Sequence, residues 1–222
     1  MTSPVDVYGE DLLTCGTGAP ATTWMLDEDG RRTLLDLPKW TAPPRGADLH
    51  LLERCTGSTL DIGCGPGRLT RGLVRMGLPC LGVDVAPVAV AMARLGGTPV
   101  LHASVYDAVL DGAVWDTVLL ADENVGIGGD PVALLARCRE LLAPGGRVLV
   151  ELEPPSTRTR LVRVRIDSSS GRTSRWFPWA HVSAADAADV AARAGLDVVT
   201  RWQESGRWFA ELCSSTQPQG AA

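Results

Sequence analysis

From residue 58 onward, short runs of consecutive apolar residues alternate with segments whose apolar positions recur every three or four residues. The runs at 58–62, 80–83 and 100–103 read as short strands, 116–121 has the continuous apolar signature of a strand buried in a parallel sheet, and 148–152 reads as another buried strand. Between them, Leu69, Leu73, Val74 and Met76 carry helical spacing, and Gly77 stands where a C-terminal cap belongs. Pro87 opens the next helix, at a position where its missing N–H costs nothing, and Gly96-Gly97 closes it. Asp130-Pro131 supplies an N-cap and a first-turn proline to a third helix, whose apolar face is Leu134, Leu135, Cys138, Leu141 and Leu142. A short helix over 47–54 precedes the first strand. Strands alternating with helices of this length require right-handed crossovers, so the pattern predicts an α/β fold with a doubly wound, mostly parallel sheet.

The two ends of the chain read differently. Residues 1–45 are rich in Thr, Gly and Pro with Trp24 and Trp40 scattered among them, and are expected to form an irregular cap. Residues 161–166, the turn Ser168-Ser169-Ser170-Gly171 and residues 173–177 suggest a hairpin outside the main sheet, within an insertion over 154–182. Ser183 is expected to cap a helix ending at Gly195. Strands at 196–202 and 208–212 are joined by Glu204-Ser205-Gly206, a link short enough only for an antiparallel pair. Residues 214–222 are small and polar and are expected to be a disordered tail. The whole reads as a single domain over 1–222 with its core at 46–213.

Composition narrows the class. At 222 residues, 45% hydrophobic and 21% charged, the chain has enough apolar material for one sizeable core. Its net charge of −5 disfavours a nucleic-acid partner. No apolar run spans a bilayer, and no basic start followed by an apolar stretch marks a secretory signal, so a cytoplasmic protein without membrane partners is expected. Cys15, Cys55, Cys64, Cys80, Cys138 and Cys213 form no C-x-x-C pair and no zinc-ligand spacing with histidine; they are expected to be reduced and structural, with no metal.

Most of the chemical information lies in Leu60-Asp61-Ile62-Gly63-Cys64-Gly65-Pro66-Gly67, at the end of the first core strand. Glycines there permit a tight turn and a close approach of ligand to backbone. A dinucleotide fingerprint would put its third glycine at position 68, which is Arg68; the pattern here is D-x-G-x-G-x-G. It resembles motif I of the class I S-adenosylmethionine-dependent methyltransferases. The resemblance covers residues 59–152 and extends toward 213. It implies S-adenosylmethionine as cofactor and a seven-stranded sheet of order 3-2-1-4-5-7-6 with a terminal reversed hairpin. It implies that Asp61, Gly63, Cys64, Gly65 and Gly67 pass beneath the methionine and ribose. Asp84, 21 residues beyond Gly63, matches the ribose-binding acid, with Val85 beside it. Ser104 and Val105 occupy the adenine side, where the family's usual acid is missing, leaving Ser104 or Asp107 to meet the amine. Ala121 and Asp122 end the fourth core strand, at the methionine end facing the acceptor, and Pro144-Gly145-Gly146 matches the family's turn before the fifth.

Methyl transfer from a sulfonium is an in-line displacement in a site closed to water, assisted by a base where the acceptor must lose a proton. His181 follows Trp176-Phe177-Pro178-Trp179 in the insertion where the family often builds its acceptor pocket, and is the candidate base; Asp122 and Asn124 complete the expected catalytic set, with Glu123 between them. His50 is a weaker candidate and His102 a structural one. Trp176 and Trp179 are expected to line an acceptor pocket suited to a flat, apolar molecule, while Trp202 and Trp208 pack the terminal hairpin. Arg158, Arg160, Arg163 and Arg165 alternate with apolar residues as the wet face of a strand. The expected function is O-methylation of a small phenolic or polyketide-like secondary metabolite. The alternatives are methylation of a protein or peptide and binding of the cofactor without transfer.

Overall fold

The computed structural model describes residues 2–19 and 21–215; the expected tail lies outside them from residue 216 onward, and its first residue, Ser214, ends a strand. The core alternates β3 (Thr59–Ile62), α4 (Arg68–Arg75), β4 (Cys80–Asp84), α5 (Pro87–Leu95), β5 (Val100–His102), β6 (Trp115–Leu120), α6 (Pro131–Glu140) and β7 (Leu142–Leu152). After an insertion come α7 (Ala187–Arg193), β10 (Leu196–Glu204) and β11 (Arg207–Ser214). The seven strands lie in the order β10-β11-β7-β6-β3-β4-β5, parallel from β7 to β5, with β11 antiparallel to β7 and to β10.

Alternation along β6 makes the sheet doubly wound. Val118 and Leu120 face one core with Val148, Val150 and the apolar sides of α6 and α7. Leu119 and Ala121 face the other with Leu149, Phe209, α4 and α3 (Ala47–Glu53). Every residue of β3 is buried, as a central parallel strand requires. Pro144-Gly145-Gly146 lies within β7 rather than before it: the pairing jumps from Trp115↔Leu142 to Thr117↔Arg147, so these residues form a wide bulge. Asp186, not Ser183, precedes α7; the Ser183 hydroxyl accepts from Ala185 N–H one turn earlier.

The described residues among the first 45 form regular elements, contrary to the irregular cap expected of them. They form α1 (Pro4–Gly16), β1 (Thr23–Asp27), β2 (Arg32–Leu35) and α2 (Leu37–Thr41). The insertion forms β8 (Arg160–Ser168) and β9 (Phe177–His181), whose second arm starts four residues later than the pattern suggested because Arg175 and Trp176 fall out of register. Together they build a second, antiparallel sheet of order β2-β1-β8-β9. Local periodicity showed only the β8–β9 hairpin of it, since the partners of β1 and β8 are more than a hundred residues apart. Buried Asp11 on α1 fastens this sheet by accepting from the hydroxyls of Thr23 (2.6 Å) and Ser168 (2.7 Å). Arg160 is not simply on a wet face: it pairs with buried Asp27 at 3.0 Å. Among the described residues no helix is long and apolar enough to cross a membrane.

Candidate functional site

The carboxyl ends of β3, β4 and β6 open into a cavity of about 610 Å³, roofed by α1, α2 and the second sheet. This is where ligands enter doubly wound folds. Its floor is the glycine turn. The N–H groups of Gly63 and Cys64 donate to Val83 O at 2.9 and 3.1 Å. Gly63 has φ +70, and a Cβ there would sit 2.6 Å from Asn124 Nδ2. The position therefore excludes side chains on two grounds. Gly65, at φ +55 and close beneath Tyr8, donates its N–H to Asp84 Oδ2 at 2.8 Å. Ala86 N–H meets the other carboxylate oxygen at 2.7 Å. Burial pushes Asp84 above the ordinary carboxylate range, and these two N–H groups act against that rise.

Asp61, Cys64, Val85, Ser104, Val105 and Ala121 also border the cavity, so the loop and three strand ends converge as the sequence suggested. Gly67 does not. It caps α4 at φ +84 against Thr98 and Ala93, a structural rather than a ligand-facing position. Asp107 is likewise turned away, its carboxylate accepting from Ser104 N–H at 2.8 Å, which leaves Ser104 and Val105 as the wall at that end. A volume of this size is in the range of cofactor clefts, and the bare backbone at Gly63 and Gly65 beside a buried strand-end carboxylate fits an adenosyl ribose.

Between this end and the far wall lies a charged network that sequence reasoning missed. Arg68, 2% exposed, pairs with Asp48 and with Asp122. Arg207 forks onto Glu151 at 2.7 and 2.6 Å and reaches Asp48 at 2.6 Å. Lys39 Nζ contacts Asp122 Oδ1 at 2.7 Å, and Asp122 N–H donates to Glu151 Oε2 at 2.6 Å. Three carboxylates thus face three cations in a desolvated cluster. Burial would raise Asp122, but Arg68, Lys39 and Arg207 hold it below the ordinary range, so it is an anchored anion and not a base. The missed signals were Glu151 breaking an apolar run and Arg68 directly after the glycine turn.

Asp122 and Glu123 are consecutive non-glycine residues with φ of 49 and 62, strain that costs on the order of 1–3 kcal/mol each. The twist turns Asp122 into the network and lets Asn124 reach back. The Asn124 amide donates to Ile62 O (2.9 Å) and Gly63 O (3.0 Å), clamping the glycine turn; its expected catalytic role becomes a positioning one.

His181 does not line this cavity. It is 5% exposed and borders a neighbouring chamber, with Nδ1 2.8 Å from Glu153 Oε1 and 3.8 Å from Glu123 Oε2. Burial would lower the imidazole, but these two carboxylates lift it to about 9. A ring protonated at neutral pH and walled off from the cleft cannot take the acceptor's proton, which revises its expected role as base. His50 lies on an exposed helix face beside Glu204, and His102 on a strand edge beside Val85 O.

Phe177 and Trp179 form an apolar wall of the cleft with Met25 and Ile166, while Trp40 meets Tyr8 edge-on at 5.9 Å beside Gly65. Trp176 is not part of that wall and lies under Arg165. Trp202 stacks on Phe209 at 5.3 Å, and Trp208 packs against the core, both away from the cleft. All six cysteines are free, and burial pushes the Cys55 and Cys138 thiols up to about 12 and that of Cys64 still higher, as expected of inert packing groups.

A family profile described as "Methyltransferase domain" matches residues 60–150. The ubiquinone biosynthesis O-methyltransferase of Cereibacter sphaeroides is 32% identical over 156 residues, covering 64% of this chain and 61% of that protein. The chain therefore spans about three-fifths of that relative's length. A solved SAM-dependent methyltransferase from Bacteroides fragilis, in complex with S-adenosyl-L-homocysteine, shares the fold with a TM-score of 0.81 over 97% of both chains at 18% identity. The CcbJ methyltransferase from Streptomyces caelestis does so with a TM-score of 0.61, over 80% of this chain and 92% of its own, at 18% identity.

Proposed function

Because this chain belongs to the class I S-adenosylmethionine-dependent methyltransferases, we propose that it methylates an oxygen of a small acceptor, a phenolic or polyketide-like secondary metabolite, in the cytoplasm. The observation that carries the reading is one cleft lined both by Gly63, Gly65 and Asp84 and by the aromatic rings of Trp40, Phe177 and Trp179. Oxygen as the acceptor atom is supported by the relatives in Cereibacter sphaeroides and Dinoroseobacter shibae, which are ubiquinone biosynthesis O-methyltransferases.

When bound, S-adenosylmethionine supplies an electrophilic methyl group on a sulfonium. The Asp84 carboxylate accepts from the ribose hydroxyls while its N–H partners keep it in place, and the glycine turn leaves the approach open. The aromatic wall would orient a flat acceptor and exclude water, so that the acceptor oxygen could approach the methyl group in line. Neither Asp122 nor His181 is available as a base, so positioning dominates and the acceptor enters as a phenolate or loses its proton to solvent. Lys39, whose ammonium borders the cleft, places positive charge beside that oxygen.

The test is incubation of purified protein with methyl-labelled cofactor and a panel of phenols, with extraction of the products. Label in an organic-soluble small molecule supports the reading. Label on polypeptide alone would favour the protein methyltransferase, and cofactor binding without any transfer would favour the non-catalytic alternative.

A further inference from the structure

Beside the cleft lies a second chamber of about 320 Å³, and its contents are not used by methyl transfer. Three side chains from three separate segments converge in it. Glu123 follows β6 in the strained left-handed turn, Glu153 follows the end of β7, and His181 ends β9. One donor atom from each lies within 4.8 Å of the other two. The measured pairs, 2.8 Å from His181 Nδ1 to Glu153 and 3.8 Å to Glu123, bracket the roughly 3 Å that separates neighbouring donors around an ion with bonds of about 2.0–2.2 Å.

His181 is buried, and its Nδ1 faces the carboxylates without an aligned hydrogen-bond partner; the contact with Glu153 is a close approach of charges. An orphaned ring nitrogen aimed into a carboxylate-lined chamber is unusual in a packed interior. The nearby cations are engaged elsewhere. Arg160 holds Asp27 at 3.0 Å and Asp29 at 3.8 Å, and Arg32 lies over the Trp24 ring. The imidazole is the counter-charge that both glutamates approach, with Arg160 acting on Glu153 as well.

We propose that Glu123, Glu153 and His181 form a binding site for a divalent transition-metal ion such as Mn²⁺ or Zn²⁺. One imidazole nitrogen with two carboxylates is a borderline donor set that suits these ions better than Ca²⁺ or Mg²⁺, which favour oxygen alone. The same two carboxylates that hold a proton on the ring hold the metal in its place. Glu123, Met25 and Thr33 border both chambers, so the ion sits at the wall shared with the acceptor end of the cleft. The site is independent of the methyl-transfer reading, because it is defined by binding alone.

The test uses the whole chain, stripped with a chelator and titrated with Mn²⁺ while electron paramagnetic resonance follows the free ion, and in parallel with Zn²⁺ by calorimetry. Saturable uptake of one ion per chain is expected, weakened about tenfold or more in Glu153→Gln and in His181→Asn. Glu204→Gln, on the far hairpin, is the control expected to leave affinity unchanged. Glu123→Gln, at a half-exposed side chain, serves if a buried variant fails to fold. No saturable uptake of either ion by the native chain, or undiminished affinity in the variants that fold, overturns the proposal.

Discussion

Asp84 accepts from backbone N–H groups on both oxygens and still borders the cleft, so its remaining lone pairs are the ones a vicinal diol would meet. Asp84→Ala is expected to weaken S-adenosyl-L-homocysteine binding by at least tenfold with the circular dichroism spectrum unchanged, and calorimetry reads the difference; equal affinity would remove the ribose assignment. Asp61 makes a different point. Burial lifts it to about 6 against an ordinary 3.8, outweighing the hydrogen bond it accepts from Thr70 at 2.6 Å. The folded state holds this proton more tightly than the unfolded chain does. Stability from Asp61 is therefore complete below pH 3.8, is lost as pH rises to about 6, and is flat above. At about 1.4 kcal/mol per pH unit the loss is on the order of 3 kcal/mol. Subtracting the denaturant-derived stability of Asp61→Asn from that of the native chain over this range should expose that slope, and a pH-independent difference would contradict it.

Among the elements, the one most exposed to single-residue damage is the junction of α3, α4, β6, β7 and β11, held by charge instead of by apolar packing. Arg68 leaves the first turn of α4 to neutralise Asp48 and Asp122, which belong to α3 and to the end of β6. Arg68→Met leaves Asp48 to Arg207 alone and Asp122 to Lys39 and Arg207, and should destabilise by up to about 3–5 kcal/mol in urea unfolding. Arg68→Lys, which keeps the charge but loses the fork, should recover only part of that. A Met variant as stable as the native chain would mean that solvent already reaches the network. The arrangement also explains the strained turn at Asp122 and Glu123. Its cost is offset by the ion pairs that it completes and by the clamp of Asn124 on the glycine turn.

On the scale of the molecule, the N-terminal segment and the insertion form one roof, although nearly the whole core separates them in sequence. α1 packs on α5, where Gly9 lets the helices approach until a Cβ would lie 2.9 Å from Val88, and it carries Tyr8 over Gly65. A ligand bound beneath Tyr8 would therefore link roof to core. Amide exchange across α1 is expected to slow when S-adenosyl-L-homocysteine is added, alongside that of the glycine turn. Protection confined to the turn, with α1 unaffected, would show that the roof does not close on the ligand.

Taken alone, the sequence determined the alternating core, the terminal hairpin and the glycine turn with its strand-end Asp84. Each of these is written in local periodicity or in a spacing that a single βα unit enforces. Of the second sheet it showed only the hairpin of β8 and β9; the pairing of β1 with β8 arises only when distant segments meet. Nor could it show that Asp122 is bound by three cations, that Asn124 is spent on the turn, or that His181 faces another chamber. A side chain's charge state depends on what surrounds it, and those neighbours come from α2, α4, β7 and β11, which only the folded chain brings together.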